Sequence, residues 1–252
     1  MDLFDPLILA LAIPAVILSG ISKGGFGSGV SFAASAILAL VLPPGIALAV
    51  MLPLLMLIDV VALPAYWRKW HPVMIRDLSL GAIPGVLIGA LIIAVVPVDA
   101  FRALIGFICL AFVAYQVSRD RGWLKIGEWV YSSKIAFGVG ASAGFSSFVS
   151  HAGGPPIAVY LLGQNLSKLQ FQATTVFVFW IINLLKFPPY IALGLFDANM
   201  LLFVVGLAPF AVFGTWLGVR AHRWLNEEQF FLVTYILLVL TGLRLIWVGL
   251  VG

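Results

Sequence analysis

From Pro6 to Val251, apolar runs follow one another with only short polar connections between them. A chain patterned this way has too little polar surface to clothe a water-soluble core, so its runs must be solvated by lipid. Hydrophobic residues occupy 63% of the 252 positions and charged residues 10%, and no stretch is polar enough to make a separate soluble domain. In hydrocarbon every backbone polar group has to be bonded internally. The pattern predicts an all-α, multi-pass membrane protein, a single integral membrane domain over residues 1–252.

Other classes drop out quickly. The acidic opening Met1-Asp2-Leu3-Phe4-Asp5-Pro6 lacks the basic region of a cleaved leader, so the first apolar run is expected to persist in the mature protein. The single cysteine, Cys109, rules out an intrachain disulfide and offers no metal cluster, and no cofactor is expected. The net charge of +4 does not point to nucleic acid, because the basic residues sort by membrane side.

Ten apolar segments can be drawn: 6–22, 30–42, 46–66, 78–96, 101–117, 135–150, 157–162, 171–193, 200–219 and 230–251. A full span needs about 20 residues, with about 17 as a minimum. The first two segments, and the sixth and seventh, are mostly too short. Each short pair reads as a helical hairpin that enters and returns on one side, with two short tilted spans as the alternative. Ten of the fourteen Lys and Arg residues fall in the connections 67–77, 118–134, 163–168 and 220–228, whereas the alternate connections carry Asp2, Asp5, Asp99 and Asp197. The positive-inside rule then makes the basic connections cytoplasmic and puts both termini outside. Trp67, Trp70, Trp123, Trp129 and Trp224 beside the basic connections fit an interfacial belt.

Two glycine-rich breaks punctuate the short pairs. One reads Ser19-Gly20-Ile21-Ser22-Lys23-Gly24-Gly25-Phe26-Gly27-Ser28-Gly29, the other Ser147-Phe148-Val149-Ser150-His151-Ala152-Gly153-Gly154-Pro155-Pro156. Both run Ser-x-x-Ser, a basic residue, then x-Gly, 128 positions apart. Gly81-x-x-Pro84-x4-Gly89 recurs as Gly206-x-x-Pro209-x4-Gly214, and Asp59 and Pro64 align with Asn183 and Pro188. The chain therefore reads as two repeats, 1–122 and 131–252, each a glycine-broken hairpin plus three transmembrane helices. An odd number of crossings per repeat makes them inverted.

Hairpins from opposite sides would bring their tips together near the midplane, where broken backbone survives only if it lines a protein-enclosed cavity. Helix N-termini near Gly27 and Pro155 would present free N–H groups and partial positive charge. Glycine permits close approach of a ligand to the backbone. Lys23 and His151 add cations; Ser22, Ser28 and Ser150 add hydroxyl donors. Candidate substrate contacts are thus Ser22, Lys23, Gly24, Gly25, Phe26, Gly27, Ser28, Ser150, His151, Gly153, Gly154 and Pro155, suited to a small oxyanion. Asp59, Thr174 and Asn183 are candidates for coupling or support, since an ionisable group inside a span is a functional candidate by default. Lone glycines are assigned to helix packing. Lys186 and Arg244 are read as snorkelling to an interface.

The Lys-Gly-Gly-x-Gly stretch ending the first run, and the Gly-Gly-x-Pro stretch opening the second half, resemble the sulfite exporter TauE/SafE-like family across essentially the whole chain. The signature positions fall on Lys23, Gly24, Gly25 and Gly27, and on Gly153, Gly154 and Pro156. The resemblance implies transport of sulfite, sulfonates or related anions across a bacterial inner membrane. The expected mechanism is alternating access at the central site, with proton coupling through His151 or Asp59 left open. An anion channel on the same site is the alternative. A membrane hydrolase is a third reading, because Gly140-Ala141-Ser142-Ala143-Gly144 matches the Gly-x-Ser-x-Gly nucleophile pattern, although that pattern needs a strand-turn-helix elbow.

Overall fold

The structure, a computed structural model, describes residues 3–26, 32–123, 130–221 and 227–251. The candidate contacts Gly27 and Ser28 lie outside the described residues. Ten α-helices occur among those described: α1 (Pro6–Ile21), α2 (Ala33–Leu38), α3 (Pro44–Ala62), α4 (Pro72–Val95), α5 (Val98–Asp120), α6 (Ser133–Ser150), α7 (Gly154–Leu162), α8 (Lys168–Ala192), α9 (Ala198–Ala221) and α10 (Glu227–Val251). The described residues contain no strand.

Local chemistry sets the helix starts. Pro6 sits in the first turn of α1, where its missing N–H costs nothing, and the Asp5 carboxylate accepts from the Leu7 N–H at 2.8 Å. Pro44 and Pro72 open α3 and α4 in the same way. Ser167 and Gln170 form a reciprocal capping box at the head of α8. Asp197 accepts from Met200 N–H at 2.7 Å in the first turn of α9.

Among the described residues seven helical stretches are long and apolar enough to cross a membrane, and the first of these is a difference from expectation. The first glycine cluster does not end α1. Ser22–Phe26 wind on as a π-turn, so the apolar stretch Pro6–Gly25 reaches 20 residues. By contrast α2 has 6 residues and α7 has 9, too short to cross a bilayer.

Glycine seams hold the helices together. α4 lies against α6 so closely that a Cβ added at Gly85 would stand 2.0 Å from the Ala141 carbonyl oxygen, and one at Gly140 would stand 2.1 Å from that of Leu78. α1 meets α9 in the same manner: a Cβ at Gly20 would lie 2.6 Å from Thr215 N, and one at Gly218 would lie 2.5 Å from the Ile21 oxygen. α5 and α10 close on Gly106 and Gly242. Of the Gly-x-x-Pro-x4-Gly element, Gly81 and Gly214 serve backbone approach between helices, the usual device where hydrophobicity cannot drive association, whereas Gly89 faces the Phe148 side chain and Gly206 faces nothing within 4 Å. Each helix that leads into a glycine break packs on a helix from the other half of the chain.

The polarity is inside-out. Large apolar side chains such as Leu87, Leu91, Val205, Leu240 and Trp247 are exposed, whereas Lys23, Asp59, His151, Asn183 and Lys186 are buried. At the head of α4, Asp77 accepts from Arg76 at 2.7 Å and from the hydroxyls of Tyr131 and Ser133, which fastens the start of α6 to α4.

Candidate functional site

Lys23 lies in the π-turn that prolongs α1, and the residue is 6% exposed. Its Nζ stands 2.5 Å from Asp59 Oδ1, on α3, and 5.7 Å from the centre of the Phe179 ring, on α8. The other Asp59 oxygen accepts from Asn183 Nδ2 at 2.8 Å. Asp59 on α3 and Asn183 on α8 come from different halves of the chain, so this bond joins the halves.

The second break is built differently. α6 ends at Ser150, and His151 takes up the left-handed conformation with φ 58° and ψ 10°. That conformation usually calls for glycine or asparagine at a helix end. Its use by histidine aims the imidazole inward. Nε2 lies 3.1 Å from the Leu48 carbonyl oxygen on α3. A carbonyl only accepts, so Nε2 carries the proton and Nδ1 is left as an acceptor. Facing Nδ1 at 2.6 Å is Lys186 Nζ, which also donates to the Ser147 carbonyl oxygen at 3.2 Å and hydroxyl at 3.1 Å. Three acceptors thus meet the three N–H groups of one ammonium. Lys186 is fully buried. Among the described residues no carboxylate stands within ion-pair distance of it.

The two breaks meet. A Cβ on Gly153 would lie 3.0 Å from the Phe179 ring, the same ring beneath Lys23. Ser35 in α2, which follows the first break, donates to the Ser150 carbonyl at 3.2 Å. Gln172 donates to the Lys23 carbonyl at 3.3 Å, and the Tyr66 hydroxyl to that of Gly24 at 3.1 Å. Ser22 and Ser150 are buried beside their basic neighbours, Phe26 closes the π-turn, and Gly154 and Pro155 form the first turn of α7.

Not every candidate gathers here. Gly24 and Gly25 press on α9, where a Cβ would stand 2.6 Å from Thr215 O and 2.7 Å from Gly218 O respectively. The Thr174 hydroxyl accepts from His71 N–H at 3.0 Å, at the head of α4. It lies nine residues before Asn183, about 13 Å along α8.

Lys186 corrects the snorkelling reading. It sits six residues before the end of α8, within a lysine's reach of an interface, yet the fold turns it inward. One signal was present: Lys186 follows Asn183 by three positions and so shares its helix face. The hydrolase pattern is also resolved. Residues 140–144 lie inside α6, and the exposed Ser142 hydroxyl donates back to the Val139 carbonyl at 2.8 Å. No nucleophile elbow exists there.

Two lysines and one carboxylate therefore share an interior from which water is largely excluded, with a histidine whose ring nitrogens are already engaged. Burying unpaired charge costs several kcal/mol per ion. With both lysines protonated the cluster carries one positive charge beyond its single carboxylate, which an anion would relieve.

A comparison with family models matches residues 12–245 to the family described as sulfite exporter TauE/SafE. No curated protein and no solved structure matches the chain.

Proposed function

We propose, from the premise that this chain belongs to the sulfite exporter TauE/SafE family of transport proteins, that it carries a small sulfur oxyanion or sulfonate past the Lys23–Asp59 and His151–Lys186 pairs. The observation that carries this reading is the second buried lysine without a carboxylate, placed where the two glycine breaks converge. An oxyanion entering there meets an ammonium and the backbone N–H of Gly154 in the first turn of α7, where Pro155 and Pro156 carry none. Asp59 offsets Lys23 and holds it in place; Lys186 supplies the charge that the anion neutralises.

The same geometry suggests a coupling ion. Nδ1 of His151 is held only by Lys186, so a proton taken up there would displace the ammonium from its 2.6 Å contact. Arrival of an anion and of a proton would then be linked through one pair of side chains. For movement, the reading is alternating access by two inverted repeats, 1–122 and 131–252. The glycine seams bind α1 to α9 and α6 to α4, which favours two moving bodies that each draw a helix from both repeats. The setting is the bacterial inner membrane, with both termini outside.

The test is sulfite uptake into proteoliposomes, with and without an imposed pH gradient, and with counterflow. A carrier gives saturable flux accelerated by sulfite on the far side; flux linear in concentration and free of counterflow would leave a channel. Lys186→Gln should lower flux at least tenfold, the loss expected for a charge-assisted contact to the anion. Wild-type flux in that variant would remove the proposed role of the cluster. Indifference to the pH gradient would remove the proton.

A further inference from the structure

Four of the fourteen Lys and Arg residues lie outside the basic connections: Lys23, Lys186, Arg102 and Arg244. The first two make the central cluster. Arg102 is on the first turns of α5 and Arg244 on the last part of α10, and the fold brings both to one hollow of about 370 Å³. The antiparallel seam between the helices enforces this, since a Cβ at Gly249 would lie 2.4 Å from the Asp99 carbonyl oxygen. The connection between α2 and α3 closes the hollow through Leu40 and Pro43, and Leu245 contributes an apolar wall.

Arg102 gives Nη1 to Asp99 Oδ1 at 2.7 Å, leaving other guanidinium N–H groups for the hollow. Arg244 is exposed, and among the described residues no carboxylate stands within ion-pair distance of it. Snorkelling explains one arginine at a helix end, but two from different helices lining a shared hollow require something more. A guanidinium fork matches the oxygens of a sulfonate or phosphate, and the Leu40 and Leu245 walls match an alkyl stem beside it.

We propose that this hollow is a second oxyanion site, at the end of the molecule opposite the basic connections, taking an oxyanion on an alkyl stem. Such a ligand is either a free alkyl sulfonate or the headgroup of an anionic phospholipid. Position argues for use in traffic. α2 runs from the hollow's rim to Ser35, which donates to the Ser150 carbonyl beside His151. The site is separate from the central cluster and does not depend on that cluster's proposed role.

Binding to the purified protein in detergent tests it, with ethanesulfonate and short-chain phosphatidylglycerol as probes and short-chain phosphatidylcholine, zwitterionic with no net charge, as the control. The variants are Arg102→Gln/Arg244→Gln, Arg244→Gln alone and Lys186→Gln. The double variant should weaken binding of one anionic probe about tenfold to a hundredfold, as loss of charge-assisted hydrogen bonds predicts. Lys186→Gln should leave that component in place. A loss for ethanesulfonate identifies a free anion; a loss confined to phosphatidylglycerol identifies a lipid headgroup. Unchanged affinity for both probes in the double variant would overturn the site. Arg244 is exposed, so the single variant decides the matter by the same readout if the double one fails to fold. The central reading is judged separately, on Lys186→Gln alone.

Discussion

Removing Lys23 leaves Asp59 fully buried with Asn183 as its only side-chain hydrogen-bond donor among the described residues. Breaking one side of a buried pair costs about 3–5 kcal/mol, whereas removing both partners is far milder. Lys23→Ala should therefore unfold well below wild type in detergent melts, and Lys23→Ala/Asp59→Ala should recover most of the loss while remaining unable to move sulfite. A single variant as stable as wild type would mean that the 2.5 Å pair does not hold the π-turn. His151 separates backbone from ring. Its left-handed conformation costs an ordinary L-residue about 1–2 kcal/mol, and asparagine tolerates it best. His151→Asn also keeps an acceptor for Lys186, so it should melt above His151→Ala. The reverse order would show that neither the conformation nor the Lys186 contact matters to stability.

At the scale of helices, the seams make a sharper contrast than any hydropathy profile. Gly85 has the Ala141 carbonyl where its Cβ would be, whereas Gly206, on α9, has nothing within 4 Å. Gly85→Ala should force α4 from α6 and destabilise by about 1–3 kcal/mol, the usual cost of overpacking. Gly206→Ala should stay within about 0.5 kcal/mol of wild type. Melting curves of the two variants decide it, and equal effects would contradict the seam. The start of α1 at Pro6 was legible, but hydropathy placed α4 at 78 and α8 at 171, whereas Pro72 and the Ser167–Gln170 box start those helices earlier, in the polar connections. The end of α1 was not legible, because Ser22–Phe26 form a π-turn supported by α9 rather than by their own propensity.

For the whole molecule, the charge asymmetry makes a prediction about sidedness. On a Cys109→Ser background, cysteines at Asp99 or Asp197 should react with an impermeant thiol reagent in intact cells, and cysteines at Lys69 or Arg121 only after the membrane is opened. Labelling of Lys69→Cys from outside would reverse the proposed orientation. Packing also decides which bodies can move. Because α1 is sealed to α9 and α6 to α4, a disulfide engineered across either seam should leave sulfite flux intact. Flux abolished by such a cross-link would mean that the seams themselves slide.

Hydropathy, proline and serine punctuation, and the offset of 128 between two basic glycine breaks are all written along the chain. They determined the all-helical membrane class, because lipid solvation acts on local sequence, and they marked Lys23 and His151 as the basic residues of the two breaks. The partners of the charges were decided only by packing. Whether Lys186 reached for an interface or for His151, whether Asp59 held a lysine or stood alone, and whether Arg102 and Arg244 would meet depended on how helices far apart in sequence were rotated against one another. That rotation is fixed by glycine seams whose two sides come from different halves of the chain, and no single stretch of residues contains it.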